Sequence, residues 1–135
     1  MAKKGVLLIN VGTPTEPTVE SVRKYLREFL LDPDVIDIPA PLRHLLVRGI
    51  ILRVRPRKTA PLYQKIWMDE GSPVRVYSDR ITKSLAQKSV DIEFEFAMRY
   101  GEPSILSGLE KLRQKGVEEL LLLPMFPHFA QATTE

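Results

Sequence analysis

The stretch that decides the fold runs from Ile92 to Pro124 and reads IEFEFAMRYGEPSILSGLEKLRQKGVEELLLLP. In its first part Glu93 and Glu95 alternate with Phe94 and Phe96, a period of two that predicts a strand over Ile92 to Met98. A helix is expected next, with Pro103 near its start, Ile105, Leu109 and Leu112 on one face, and Gly116 just past its end. The run Leu120-Leu121-Leu122-Leu123 then predicts another strand, closed by Pro124. Strand, helix of about three turns and strand make a βαβ unit, so the two strands should be parallel and joined by a right-handed crossover. The fold class is therefore α/β, an open parallel sheet with flanking helices.

Moving outward toward the amino terminus, Val6-Leu7-Leu8-Ile9-Asn10-Val11 is nearly continuous in apolar residues, as expected of a strand covered on both faces. It ends at Gly12-Thr13-Pro14. Thr18 is placed to cap a helix whose apolar residues Val22, Tyr25, Leu26, Phe29 and Leu30 recur at helical spacing, and Asp32-Pro33 stops it. Another helix, from roughly Asp79 to Lys88, returns the chain to the sheet. Far more chain separates the first two strands than one crossover helix needs, so about Val35 to Glu70 is read as an insertion with its own task. The chain ends a few residues beyond the last strand, which gives the expectation of a sheet cut at its ligand-binding edge and thinner than the usual five or so strands.

Composition narrows the function. With 135 residues, 44% of them hydrophobic, the chain suits one domain. It has no cysteine, so disulfides, thiolate metal sites and cysteine nucleophiles are excluded within it. The apolar run after Met1-Ala2-Lys3-Lys4-Gly5 is far short of the roughly 20 residues that span a bilayer and has no small-residue cleavage site, so it is read as a cytoplasmic first strand. The net charge of +3 is small but uneven. No acidic residue lies between Asp37 and Asp69, where Arg43, Arg48, Arg53, Arg55, Arg57, Lys58 and Lys65 all fall.

Threaded among those cations are Leu42, Leu45, Leu46, Val47, Ile50, Ile51 and Leu52. Such a surface suits an apolar body carrying anionic groups, or the face of an anionic membrane. The plainer alternative is a helical insertion whose leucines pack on the sheet and whose arginines are solvated. Nucleic acid is disfavoured because the aromatic residues do not interleave with the basic ones. Neither a glycine-rich dinucleotide loop nor a Gly-Lys-Ser/Thr phosphate loop occurs. Of the two histidines, His44 lies within the insertion and His128 just past a strand end, with no second imidazole nearby to build a metal site.

Leu8-Ile9-Asn10-Val11-Gly12-Thr13-Pro14, Tyr25-Leu26-Arg27-Glu28-Phe29-Leu30-Leu31-Asp32-Pro33, Arg48-Gly49-Ile50-Ile51-Leu52, Tyr63-Gln64-Lys65-Ile66-Trp67, Gly71-Ser72-Pro73, Met98-Arg99-Tyr100-Gly101 and Pro124-Met125-Phe126-Pro127-His128-Phe129 follow one another as they do in bacterial ferrochelatases. The chain resembles the amino-terminal part of that family throughout. The resemblance implies a flavodoxin-like chelatase domain, residues 1–135, truncated from a two-domain protein, with the lip insertion at about 35–70. It implies heme biosynthesis by insertion of ferrous iron, as substrate, into protoporphyrin IX or coproporphyrin III. The partners it implies are the porphyrin and a second domain of the same protein, with peripheral membrane contact through the lip and no nucleic acid.

Position by position, the resemblance places Val11 beside the macrocycle, where some members carry an iron-reaching tyrosine that valine cannot replace. Arg55 matches a propionate-facing arginine, Tyr63 and Ser72 match polar groups lining the pocket, and Arg99 matches an arginine near the metal side. Phe129 stands where many members have tyrosine, and His128 where histidine alternates with glutamine. Gln131 stands where some members carry an iron–sulfur cysteine, so no cofactor is expected of this chain. The family's Ser-Ala-His-like motif and partner glutamate are not in the sequence, so these residues alone are expected to be inactive. Two rivals remain: a small chelatase that dimerises to build its cleft, with His128 as the base, and a non-catalytic tetrapyrrole-binding or membrane-docking module.

Overall fold

A computed structural model describes residues 2–126. Three parallel strands form its sheet: β1 (Lys4–Gly12), β2 (Ile92–Tyr100) and β3 (Glu119–Pro124), in the order β2-β1-β3. Lys4 pairs with Ile92 on one side and with Glu119 on the other, and each register keeps a constant offset from there. The central strand takes its cover from both faces, so Leu7, Leu8 and Ile9 are all buried.

The predicted helix after Thr18 is α1 (Val19–Leu30), and the Thr18 hydroxyl accepts the Ser21 N–H at 3.2 Å as its cap. The insertion folds as α2 (Ala40–Leu46), a π-helical turn at Val47–Ile51, and α3 (Leu52–Ile66). Next comes α4 (Pro73–Lys88), which begins a turn and a half before the expected start near Asp79. Ser72-Pro73 is a cap followed by the residue best suited to a first helical position, because proline lacks only an N–H that would be unpaired there anyway. The last helix is α5 (Ile105–Gln114), capped by the Ser104 hydroxyl at 3.1 Å from Ser107 N–H. Pro103 lies outside it, one residue before the cap, while Gly116 follows the helix end with a φ of 82° as the spacing predicted.

Two packing centres hold these parts. Leu7, Ile9 and Ala97 point to one face of the sheet and meet Leu112 of α5. Gly108 makes this contact close, since a Cβ there would come within 2.7 Å of Leu7 Cδ1. By alternation Leu8 and Met98 face the other way, where α4 packs across β1 and β2. The second centre joins α1 to the insertion, through Val22, Leu26 and Leu30 against Val47, Leu52 and Ala60. The insertion therefore packs on a helix and not, as the plainer of the two readings had it, on the sheet. Leu42, Leu45, Ile50, Val54 and Leu62 remain exposed. So do Leu120, Leu121, Leu122 and Leu123 of β3, each between 38% and 59% accessible.

Candidate functional site at the carboxyl edge of the sheet and the lip

The chain leaves β1 toward β2 on one side and then crosses back over β1 to β3, so the strand order reverses at β1. In open parallel sheets, ligands settle beyond the carboxyl ends of the strands at such a reversal. Val11 and Gly12 end β1, Arg99 and Tyr100 end β2, and Pro124 ends β3. Asn10 pairs with Met98 and Gly12 with Tyr100, so Val11 and Arg99 stand level on neighbouring strands. Val11 is partly accessible and offers no donor or ligand atom in its side chain. Gly12 has a φ of 142°, and a Cβ there would fall 2.1 Å from the Tyr100 carbonyl oxygen. Only glycine lets β1 end this close to β2.

Arg99 does not stand free. Its guanidinium donates to Asp32 Oδ2 at 3.0 Å and lies 4.7 Å from the Tyr100 ring centroid. The Tyr100 hydroxyl donates to the same oxygen at 2.8 Å, and the Asp34 N–H donates to Asp32 Oδ1 at 2.8 Å. Burial works to raise the Asp32 carboxyl pKa, but the Asp34 N–H, the Tyr100 hydroxyl, Arg99 and Arg43 outweigh it and hold the group below its ordinary value. Burial, and then the bond to Asp32, push the Tyr100 phenol up. Phe29 meets the Tyr100 ring edge-on at 5.0 Å, and the Glu28 carboxylate accepts the Gly101 N–H at 3.0 Å. The end of α1 is thereby fastened to the end of β2. Sequence reading took Asp32 only as a helix stop and missed this role, since its partners lie 67 and 68 residues away.

The lip supplies the second half of the site. Ile50, Ile51, Val54, Arg55, Lys58, Thr59 and Leu62 line an open groove of about 550 Å³ along α3. Arg55 is exposed there, with no ion pair among the described residues. Tyr63 is half-buried against the α1–α3 core and meets Trp67 edge-on at 6.3 Å, and burial raises its phenol pKa, which keeps it a hydroxyl donor. The cations of the insertion do not all serve alike. Arg43 is buried, and its Nη1 donates to the Ile38 carbonyl at 2.8 Å, which ties down the start of the lip.

Ser72 is 2% accessible, and its hydroxyl caps α4 by accepting the Arg75 N–H. Its side chain is thus committed to the helix end. No hydrogen bond or ion pair among the described residues joins Arg55 to Val11 or Arg99. His44 is exposed on α2. His128, Phe129 and Gln131 lie outside the described residues. No group of three or more His, Cys, Asp or Glu side chains among the described residues is placed to hold a metal.

The fold is thus an open parallel α/β domain with its reversal at the first strand, a pinned carboxyl edge and an apolar groove edged by cations. The ferrochelatase family model matches residues 3–135, and the chain belongs to that family. It is 48% identical over 134 residues to the ferrochelatase of Bordetella pertussis, covering 96% of this chain and 37% of that protein. To a ferrochelatase of Coxiella burnetii it is 49% identical over 133 residues, covering 98% and 38%. To ferrochelatase 2 of Shewanella oneidensis it is 47% identical over 136 residues, covering 98% and 42%. The chain thus spans about two-fifths of the length of these curated relatives.

Proposed function

We propose that the protein inserts ferrous iron into a porphyrin and that these residues supply one wall and the lip of the porphyrin site. The observation that carries this reading is the lip groove, where exposed aliphatic side chains border Arg55 and Lys58 in a member of the ferrochelatase family. A porphyrin is a flat apolar macrocycle with carboxylates at its rim. Its face fits the Ile50, Val54 and Leu62 stripe, and a propionate fits the two parallel donors of a guanidinium. Protoporphyrin IX and coproporphyrin III both meet this description, the second with two more carboxylates for the remaining cations.

In insertion the macrocycle gives up two pyrrole protons as the iron takes their place on the nitrogens. Val11 offers no base and no ligand at the sheet edge, and Arg99 is held by Asp32, so the chain's own part is to bind and orient. The proton acceptor belongs to the rest of the length that the relatives have. That remaining length also fits the open edge of β3, which a further strand and a second α/β domain would cover. The exposed leucines of α2 suit peripheral contact of a cytoplasmic protein with a membrane, and no helix among the described residues is long and apolar enough to cross one.

Porphyrin titration followed by fluorescence quenching tests the reading. These 135 residues should bind porphyrin and form no metalloporphyrin. Arg55→Ala should weaken binding about tenfold, the worth of roughly 1.4 kcal/mol. Binding that is indifferent to Arg55 would overturn the lip assignment. Metalloporphyrin formation by the chain alone, abolished by His128→Ala, would favour the small dimeric chelatase instead.

A further inference from the structure

A second basic surface lies on the other side of α3 from Arg55. Arg23 and Arg27 of α1 converge there with Arg48 of the π-helical turn and Arg53 of α3 around an open depression of about 400 Å³, floored by Leu52. The sequence gives no hint of it, because two of the four come from a helix outside the cationic insertion. Arg23 is held in place by its Nε, which donates to the Leu52 carbonyl at 3.1 Å and leaves the outer nitrogens of the fork uncommitted. None of the four has a carboxylate partner among the described residues. Six cations elsewhere in the fold do have a carboxylate: Arg80 has Glu70, Lys83 has Asp79, Arg99 has Asp32, Arg113 has Glu110, and Lys3 and Lys115 share Glu93.

Four guanidiniums around one concavity repel each other, and an arrangement that costs stability without a partner is relieved by an anion that bridges them. No carboxylate among the described residues fills that place. The planar forks match the oxygens of a phosphate, which accepts two bonds from each of several arginines at once. We propose that this depression is a binding site for a phosphate-bearing anion, separate from the lip groove. Its ligand is either a soluble polyphosphate group or the headgroup of an anionic phospholipid, and the chemistry of recognition is the same for both.

Tripolyphosphate titrated calorimetrically into the purified protein, and sedimentation with vesicles of phosphatidylcholine alone or with phosphatidylglycerol, separate the two sources. Arg27→Glu/Arg53→Glu should weaken the binding at least tenfold, and Arg27→Gln/Arg53→Gln several-fold. Lys83→Glu/Lys88→Glu changes the net charge by as much as the first pair but lies on α4, and should leave the binding within twofold. Saturable tripolyphosphate binding with this pattern assigns a soluble ligand. Binding to phosphatidylglycerol vesicles alone, with the same pattern, assigns the lipid. Equal weakening by the α4 pair would reduce the effect to net charge and overturn the site, as would no binding in either arm. Porphyrin titration of the same variants keeps this test apart from the chelatase reading, since the lip groove should be unaffected.

Discussion

Asp32→Ala should destabilise the protein by about 3 kcal/mol, because one substitution strips three donors of their acceptor. The carboxylate is 13% accessible and receives Arg99 at 3.0 Å, Tyr100 at 2.8 Å and the Asp34 N–H at 2.8 Å. Hydrogen bonds to a charged group are worth about 1.5–3 kcal/mol each. Arg99, however, is 31% accessible and regains water when released, which discounts its share toward that of a surface pair. Asp32→Asn keeps an acceptor oxygen for two of the donors and should cost about 1–2 kcal/mol. Because the native carboxyl pKa lies below its ordinary value of 3.8, the stability it lends is present above that value and is lost as the pH falls through the lowered native value. Urea unfolding should therefore show a gap between wild type and Asp32→Asn that is full near pH 7 and closes in acid below about pH 4. A gap under about 0.5 kcal/mol at neutral pH, or one that persists in acid, would refute the account of Asp32 as the fastening between α1 and β2.

Gly12→Ala should be among the most damaging changes in the chain, costing about 4 kcal/mol or preventing folding, since the new methyl lands on the Tyr100 carbonyl at a positive φ; soluble yield and circular dichroism would show it. Leu26→Ala, in the joint between α1 and the lip, should cost about 2–4 kcal/mol by denaturant titration and should loosen porphyrin binding by freeing the lip. Thr18→Ala removes the cap of α1 and should cost about 1 kcal/mol in the same assay. Tyr100→Phe should flatten the alkaline limb of the stability profile, because a phenol with a raised native pKa contributes stability that declines as the pH rises above its ordinary value of 10.0.

The parts of the fold written in local pattern could be read directly. The three strands, α1 and α5 declare themselves through period-two and helical spacing, and their ends through Thr18, Gly116 and Pro124. The first turns of α4 are less legible, since Ser72-Pro73 serves equally as a turn and as a cap with its first helical residue. What a single sequence does not carry is which distant surfaces meet. The insertion could equally have packed on the sheet, and only the fit of Val47, Leu52 and Ala60 to Val22 and Leu26 places it on α1. Capture of Arg99 by Asp32 and the meeting of Arg23 with Arg53 are long-range facts of the same kind. The lip groove was legible as composition. Its direction was not.

The leucine run of β3 has a bearing on how the protein is made. A short, uncharged, apolar strand with one hydrogen-bonding edge unpaired among the described residues is the kind of template on which chains assemble into intermolecular sheets. During synthesis the segment leaves the ribosome with β1 as its strand partner among the described residues, and while its other edge is open aggregation competes with folding. Charged substitutions such as Leu121→Lys should raise the soluble yield of these residues expressed alone. In a longer chain whose later strand must dock on the same edge, the identical change should lower it.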